Sequence, residues 1–229
     1  MTLVGSSAIA GPPYQTDDPD PTETGGLEAY AFVEGDWDAS FAGSAGIEAN
    51  YGASQNVQIS LGLPLEIASR PLKVSRGNVE LSAKWRFLND ENHGLSVATF
   101  PGVALPTAKG ASGIEVLLPL WGGWKQDNLA VFGGGGRVIT SVPGGRNHWV
   151  VGFAATRQVG AMNFGVEVGH SGASERGGHG LDAAGVGMTA ALGGPFALVA
   201  RAGPARERGT GHVFVQTFFG LQGLWGPKK

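Results

Sequence analysis

Few residues in this chain could do chemistry. His170 and Ser171 stand side by side, with Glu167 three residues earlier, and this is the one grouping that hints at a hydrolase. An imidazole that takes a hydroxyl proton must lie within hydrogen-bond reach of it. Neighbouring residues of a strand point to opposite faces, so the pair is not expected to act. Gly133, Gly134, Gly135 and Gly136 resemble a phosphate loop. No Lys-Ser/Thr follows them and no helix opens after them, so a bulge or close strand packing is the better reading. His93, His148, His170, His179 and His212 are too scattered for metal-ligand spacing. Asp17, Asp18 and Asp20 could bind Ca²⁺, although such acidic runs are usually solvated. The absence of Cys excludes thiolate catalysis, Cys-ligated metals and disulfides. No catalytic residue, metal or cofactor is expected.

The charges that repeat with a period are more informative. In residues 57–66, Val57, Ile59, Leu61, Leu63 and Leu65 alternate with Gln58, Ser60, Gly62, Pro64 and Glu66. In 78–87, Asn78, Glu80, Ser82, Lys84 and Arg86 alternate with Val79, Leu81, Ala83, Trp85 and Phe87. A helix would scatter these charges around its surface, whereas a strand gathers them on one face. Glu48, Glu115, Glu167 and Arg201 have the polar parity of their own alternating segments. Glu48, Glu66, Glu80, Lys84, Arg86, Glu115, Glu167 and Arg201 are therefore the candidate lining of a polar interior. Glu48, Glu66, Glu115 and Glu167 are the expected partners of Lys84 and Arg86. Two roles stay open for this set. It is either a self-neutralising ladder that stiffens a narrow interior or a constriction that selects solutes.

These faces need strands to hold them. Alternation and turn signals place strands at roughly 27–34, 38–51 (one strand or two), 55–67, 75–88, 94–105, 112–122, 128–140, 147–159, 161–170, 181–192, 195–203 and 211–224. That gives about twelve, each near the ~9–11 residues that cross a bilayer at a tilt. Gly133 to Gly136 obscure the pattern in 128–140, which leaves the direction of Arg137 open. Charged residues make up 15% of the chain and the mean hydropathy is +0.01, too little charge for an ordinary soluble surface and too polar for a bundle of membrane helices. The 40 glycines follow no collagen period and suit turns and crowded interior positions. A net charge of −3 argues against a nucleic-acid or anionic-lipid partner. Trp37, Trp85, Trp121, Trp124, Trp149 and Trp225 fall near strand ends, as an aromatic girdle would. The fold expected is all-β: a closed antiparallel up-and-down transmembrane β-barrel of about 12 strands with a polar lumen.

The flanks complete the organisation. Residues 1–10 end in Ala8-Ile9-Ala10, a small-x-small cleavage site, and read as the remnant of a signal peptide with Gly11 opening the mature chain. Residues 11–26 form an extended Pro/Asp-rich segment that either leads in from the periplasm or lines the lumen. The barrel spans 27–225 and a short tail 226–229. GPPYQTDDPDPTETGGLEAY, ANYGASQNVQISLGLPL, LPLWGGW followed by FGGGG, NHWVVGF and the closing FFGLQGLW occur in an order that resembles the outer-membrane proteins of the MetA-pathway-of-phenol-degradation family. The chain departs from the usual terminal aromatic of such barrels, since Gly226-Pro227-Lys228-Lys229 follow Trp225. The resemblance implies an outer-membrane barrel of a Gram-negative bacterium that moves small, aromatic or hydrophobic compounds. The expected partners are the outer-membrane bilayer, the barrel-assembly machinery and a small-molecule solute. A plugged structural barrel and a membrane-embedded lipid hydrolase are the alternative readings.

Overall fold

In a computed structural model, which describes residues 13–108 and 110–226, the chain forms one closed antiparallel β-barrel with no helix among the described residues. Its strands are β1 (Leu27–Trp37), β2 (Phe41–Ser54), β3 (Val57–Ser69), β4 (Leu72–Arg76), β5 (Val79–Asp90), β6 (Leu95–Thr99), β7 (Gly102–Leu105), β8 (Glu115–Gln126), β9 (Leu129–Thr140), β10 (His148–Val159), β11 (Met162–Ser171), β12 (Leu181–Gly193), β13 (Phe196–Glu207) and β14 (Val213–Trp225). Both β4 and β5 pair with β3, and β6 and β7 both lie between β5 and β8, so these 14 segments make 12 staves. The break between β6 and β7 falls at Pro101, whose missing N–H cannot serve the ladder. The barrel closes where β1 meets β14, from Leu27 opposite Trp225 to Trp37 opposite Val215. Among the described strands only the short β4, which pairs with β3 alone, keeps an unpaired edge.

The two faces separate by parity. Ile59, Leu61, Leu63 and Leu65 are exposed on the outside of β3, while Gln58 and Ser60 are buried inside. On β5, Leu81, Trp85 and Phe87 face out, and Ser82 and Lys84 face in. An apolar exterior around a polar interior is the reverse of a water-soluble fold and suits a hydrocarbon surround. Trp37, Trp85, Trp149 and Trp225 are exposed on the outside, but Trp121 is turned into the lumen. It shares the parity of the buried Leu117 rather than that of the exposed Leu118 and Leu120, so it is not part of a girdle. Arg137 faces outward, opposite Trp149 in the ladder, with its guanidinium 5.3 Å from the indole centroid.

The two ends differ. At the end that holds Leu27 and Trp225, the turns after β2, β5, β8, β10 and β12 have two to four residues. At the other end, the connections after β7 and β11 run to nine residues. Short turns on the terminus side and longer loops opposite are the asymmetry of outer-membrane barrels.

Candidate functional site

The lumen is occupied by the chain's own N-terminal segment. From Leu27, residues 26 back to 13 run into the barrel instead of away from it. Gly25 N–H donates to Gly52 O at 2.7 Å, and Thr24 forms a parallel bridge with Gly52. Thr22 N–H donates to Gln58 Oε1 at 2.8 Å. Asp20 meets Arg86 at 3.0 Å, and Pro19 packs over Gly123. Deeper in, Lys84 Nζ lies 3.0 Å from Asp17 Oδ1 and 3.8 Å from Asp18 Oδ1, and it donates to the backbone oxygen of Asp18 at 2.9 Å. The ring of Phe100 closes the other side of the ammonium, 5.0 Å from its centroid. Asp17 is 0% exposed and Lys84 is 4% exposed, so this pair is dry on both sides. Prolines and turn formers keep the segment from pairing as a strand, which is why it crosses the interior as an irregular strap.

Beyond Asp17 the strap reaches the opposite wall. Thr16 N–H donates to Glu167 Oε1 at 2.5 Å, and Glu167 Oε2 lies 2.7 Å from Arg201 Nε. Glu167 on β11 and Arg201 on β13 are separated by β12, where Gly185 stands between them. A Cβ on Gly185 would come within 2.9 Å of Arg201 Nε, so the glycine gives the guanidinium its passage across the strand. Tyr14 packs edge-on against Phe132, with 6.2 Å between ring centroids, and lies over Gly165 and Gly187. Glycines in β10, β11 and β12 thus form the bed on which Thr16 and Tyr14 rest.

The lining residues proposed from parity fall into groups. Lys84 and Arg86 are held by Asp17, Asp18 and Asp20 of the strap, not by the strand carboxylates expected as partners. Asp17 is accordingly not solvated, whereas the Asp18 and Asp20 side chains stay 48% and 45% exposed. Glu167 and Arg201 pair with each other. Glu48 accepts from Asn50 Nδ2 at 3.0 Å, Glu80 lies beside Gly62, and Glu66 stands opposite Ser44 in the ladder. Glu115 opens β8 level with Glu80, the two being ladder partners of Ala104 from either side. Sequence reasoning missed Glu28, Glu34 and Asp36, which share the inner face of β1 with the buried Tyr30. Tyr30 Oη and Gln222 Nε2 both donate to Glu28 Oε1 at 2.6 Å, Ser44 Oγ donates to Glu34, and Gln216 Nε2 donates to Asp36 at 3.1 Å. Alternation in LEAYAFVEGDW carries the signal, with acids at positions 28, 34 and 36. At the other candidate centre, His170 Nδ1 is engaged by Asp182 at 2.7 Å and Ser171 Oγ donates to Gly172 O at 3.2 Å, so the two do not form a nucleophile–base pair.

The glycine bed offers a test that leaves every charge in place. A Cβ on Gly152 would lie 2.1 Å from Thr16 Oγ1. Gly152→Val is expected to leave the barrel folded and to unseat the strap. Limited proteolysis of folded protein should then cut near Thr16 much faster than in the parent, and equal protection in both would show that the bed is not required.

No family model matches the chain, and no curated protein matches it. Solved structures do. The KdgM porin superposes with a TM-score of 0.62 at 10% identity, covering 89% of this chain and 99% of that one. The NanC porin gives 0.63 at 7%, covering 86% and 98%. The translocator domain of the autotransporter NalP from Neisseria meningitidis gives 0.51 at 16%, covering 86% and 88%. At these identities the likeness is one of fold: a closed antiparallel barrel of 12 staves, of the kind found in outer-membrane porins.

Proposed function

We propose that the chain is an outer-membrane channel for small solutes, closed from the periplasmic side by its own N-terminal strap. The observation that carries this reading is the dry Asp17–Lys84 pair, which ties a non-strand segment to the inner wall. A barrel of about eight strands fills its lumen with wall side chains alone, and 12 staves leave a wider interior. Here a separate segment fills it, and that segment is attached through side-chain contacts and a few backbone bonds that can part without breaking the ladder. The porin folds it resembles support passage of solutes, and the short-turn/long-loop asymmetry supports insertion in the outer membrane of a Gram-negative bacterium.

The interior charge favours cations and neutral solutes. Glu28, Glu34, Asp36, Glu48, Glu66 and Glu80 line it, and the strap aspartates offset Lys84 and Arg86. A KdgM structure is described as a complex with oligogalacturonate, a polyanion. A lumen rich in carboxylates opposes such a cargo. Passage of small aromatic or hydrophobic compounds is the finer reading, and it rests on the order of motifs shared with the MetA-pathway family. Folding by the barrel-assembly machinery belongs to the same proposal.

Planar bilayers test it. Full-length protein should conduct weakly, and a variant lacking residues 11–20 should conduct steadily and prefer K⁺ over Cl⁻. In that truncated background, Glu34→Gln with Asp36→Asn and Glu66→Gln should reduce the preference. A truncated barrel that stays folded and closed would favour the plugged structural barrel instead.

A further inference from the structure

The outer wall over β11–β14 has a depression in its apolar belt. Ala200 and Ala202 on β13 form its floor, with Val186 and Met188 of β12 on one side and Phe219 of β14 on the other. The depression is wide open, extends across β10 to Arg157 and Leu129, and holds about 810 Å³; the five side chains named have outward parity. Small residues beside bulky neighbours leave an apolar depression in the wall.

Above the groove, towards the long-looped end, a polar row crosses the same strands. His170, Asp182 and Arg206 are successive partners across β11, β12 and β13. Asp182 has the parity of Val186, four residues along β12, so the row faces outward about 13 Å above the groove. Asp182 Oδ1 engages His170 Nδ1 and its Oδ2 engages Arg208 Nε, each at 2.7 Å. One carboxylate thus holds an imidazole and a guanidinium in position, while the Arg208 side chain remains 62% exposed. Arg206 is exposed and makes no ion pair among the described residues. Further along the rim, Arg137 also faces outward beside Trp149. Isolated cations near a membrane rim are ordinary anchors. Two arginines, Arg206 and Arg208, above an apolar depression on the same strands are complementary to one amphiphile, anionic at its head and apolar below.

We propose that this wall binds a phosphorylated, acylated lipid of the outer leaflet, with its phosphate on Arg206 and Arg208 and an acyl chain in the groove floored by Ala200 and Ala202. The proposal rests on the outer-membrane reading, which sets the long-looped end outward. Arginine forks suit phosphate oxygens.

Full-length protein in neutral detergent is titrated with bisphosphorylated lipid A, with the same lipid lacking its phosphates, and with inorganic phosphate, and bound lipid is counted by native mass spectrometry. The bisphosphorylated lipid should bind about tenfold more tightly than the dephosphorylated one, and Arg206→Ser with Arg208→Ser should remove that difference. Ala202→Phe, which fills the groove and keeps the charges, should weaken both lipids. Inorganic phosphate should not compete at lipid concentrations. Equal affinity for the two lipids, full competition by phosphate alone, or unchanged binding in Ala202→Phe would each overturn the site. A band that shifts on boiling in SDS shows that each variant is folded. Its absence in the parent protein would overturn the membrane reading itself, whereas a folded parent that ignores phosphates overturns only the lipid site.

Discussion

Lys84→Met is expected to open the lumen. The substitution keeps the length of the side chain and removes its charge, leaving the Asp17 carboxylate with no exposure and without its cation. Removing one partner of a buried pair costs about 3–5 kcal/mol. The cost falls on the seating of the strap, because Asp17 lies outside the ladder that closes the barrel from Leu27 to Trp37. A loss of about 3 kcal/mol multiplies the unseated population more than a hundredfold. In single-channel recordings the open dwell fraction should rise to match. Asp17→Leu added to Lys84→Met should restore closure, since apolar replacement of both partners leaves no charge buried alone. A Lys84→Met channel as closed as the parent would remove the latch from the account.

The second large effect concerns the opposite face of the same strand. Leu81 points outward at the middle of its stave, paired with Leu61 on β3 and Val103 on β7. An arginine there would enter hydrocarbon at mid-depth, at a cost of about 2–4 kcal/mol. Leu81→Arg is therefore expected to lower the folded yield in lipid vesicles sharply, read as loss of the heat-shifted band. Lys84→Met, three residues away but facing inward, should fold at the parent yield. If Leu81→Arg assembled normally and Lys84→Met did not, the apolar face would be a core and the lipid-facing assignment would fall.

Most of the wall was legible because period two survives wherever one face must stay apolar. Residues 57–66 and 78–87 read correctly side chain by side chain, and the spans counted from turn signals number as many as the staves. The breaks at Gly77 and at Pro101 were not legible, since each interrupts a ladder without ending the crossing. Trp121 was misplaced because its position near a strand end said nothing about its parity. Arg137 was undecided because glycines carry no face, although the backbone alternation runs through them. The inner acids of β1 were missed because Tyr30 and Phe32 share their face and blur the polarity contrast. The partners of Lys84 were hidden for a different reason. Asp17 is 67 residues away and belongs to no periodic element, so only the closed barrel brings the two together.

The path of the strap bears on the order in which the molecule is built. Gly26 leaves the wall at the short-turn end, Thr16 and Asp17 lie deep inside, and Pro13 lines the same recess as Lys125 and Asn163, residues next to the short turns after β8 and β10. The described segment therefore enters and returns through one mouth, as a bight of rope does, and does not pass through the ring. A bight can be pushed in after β1 has zipped to β14, and it can be withdrawn with the seam intact. Along residues 13–26 nothing has to be threaded before closure, so the ring and this stretch of its stopper can form as separate events in either order. The same topology makes removal of the stopper repeatable in a finished barrel.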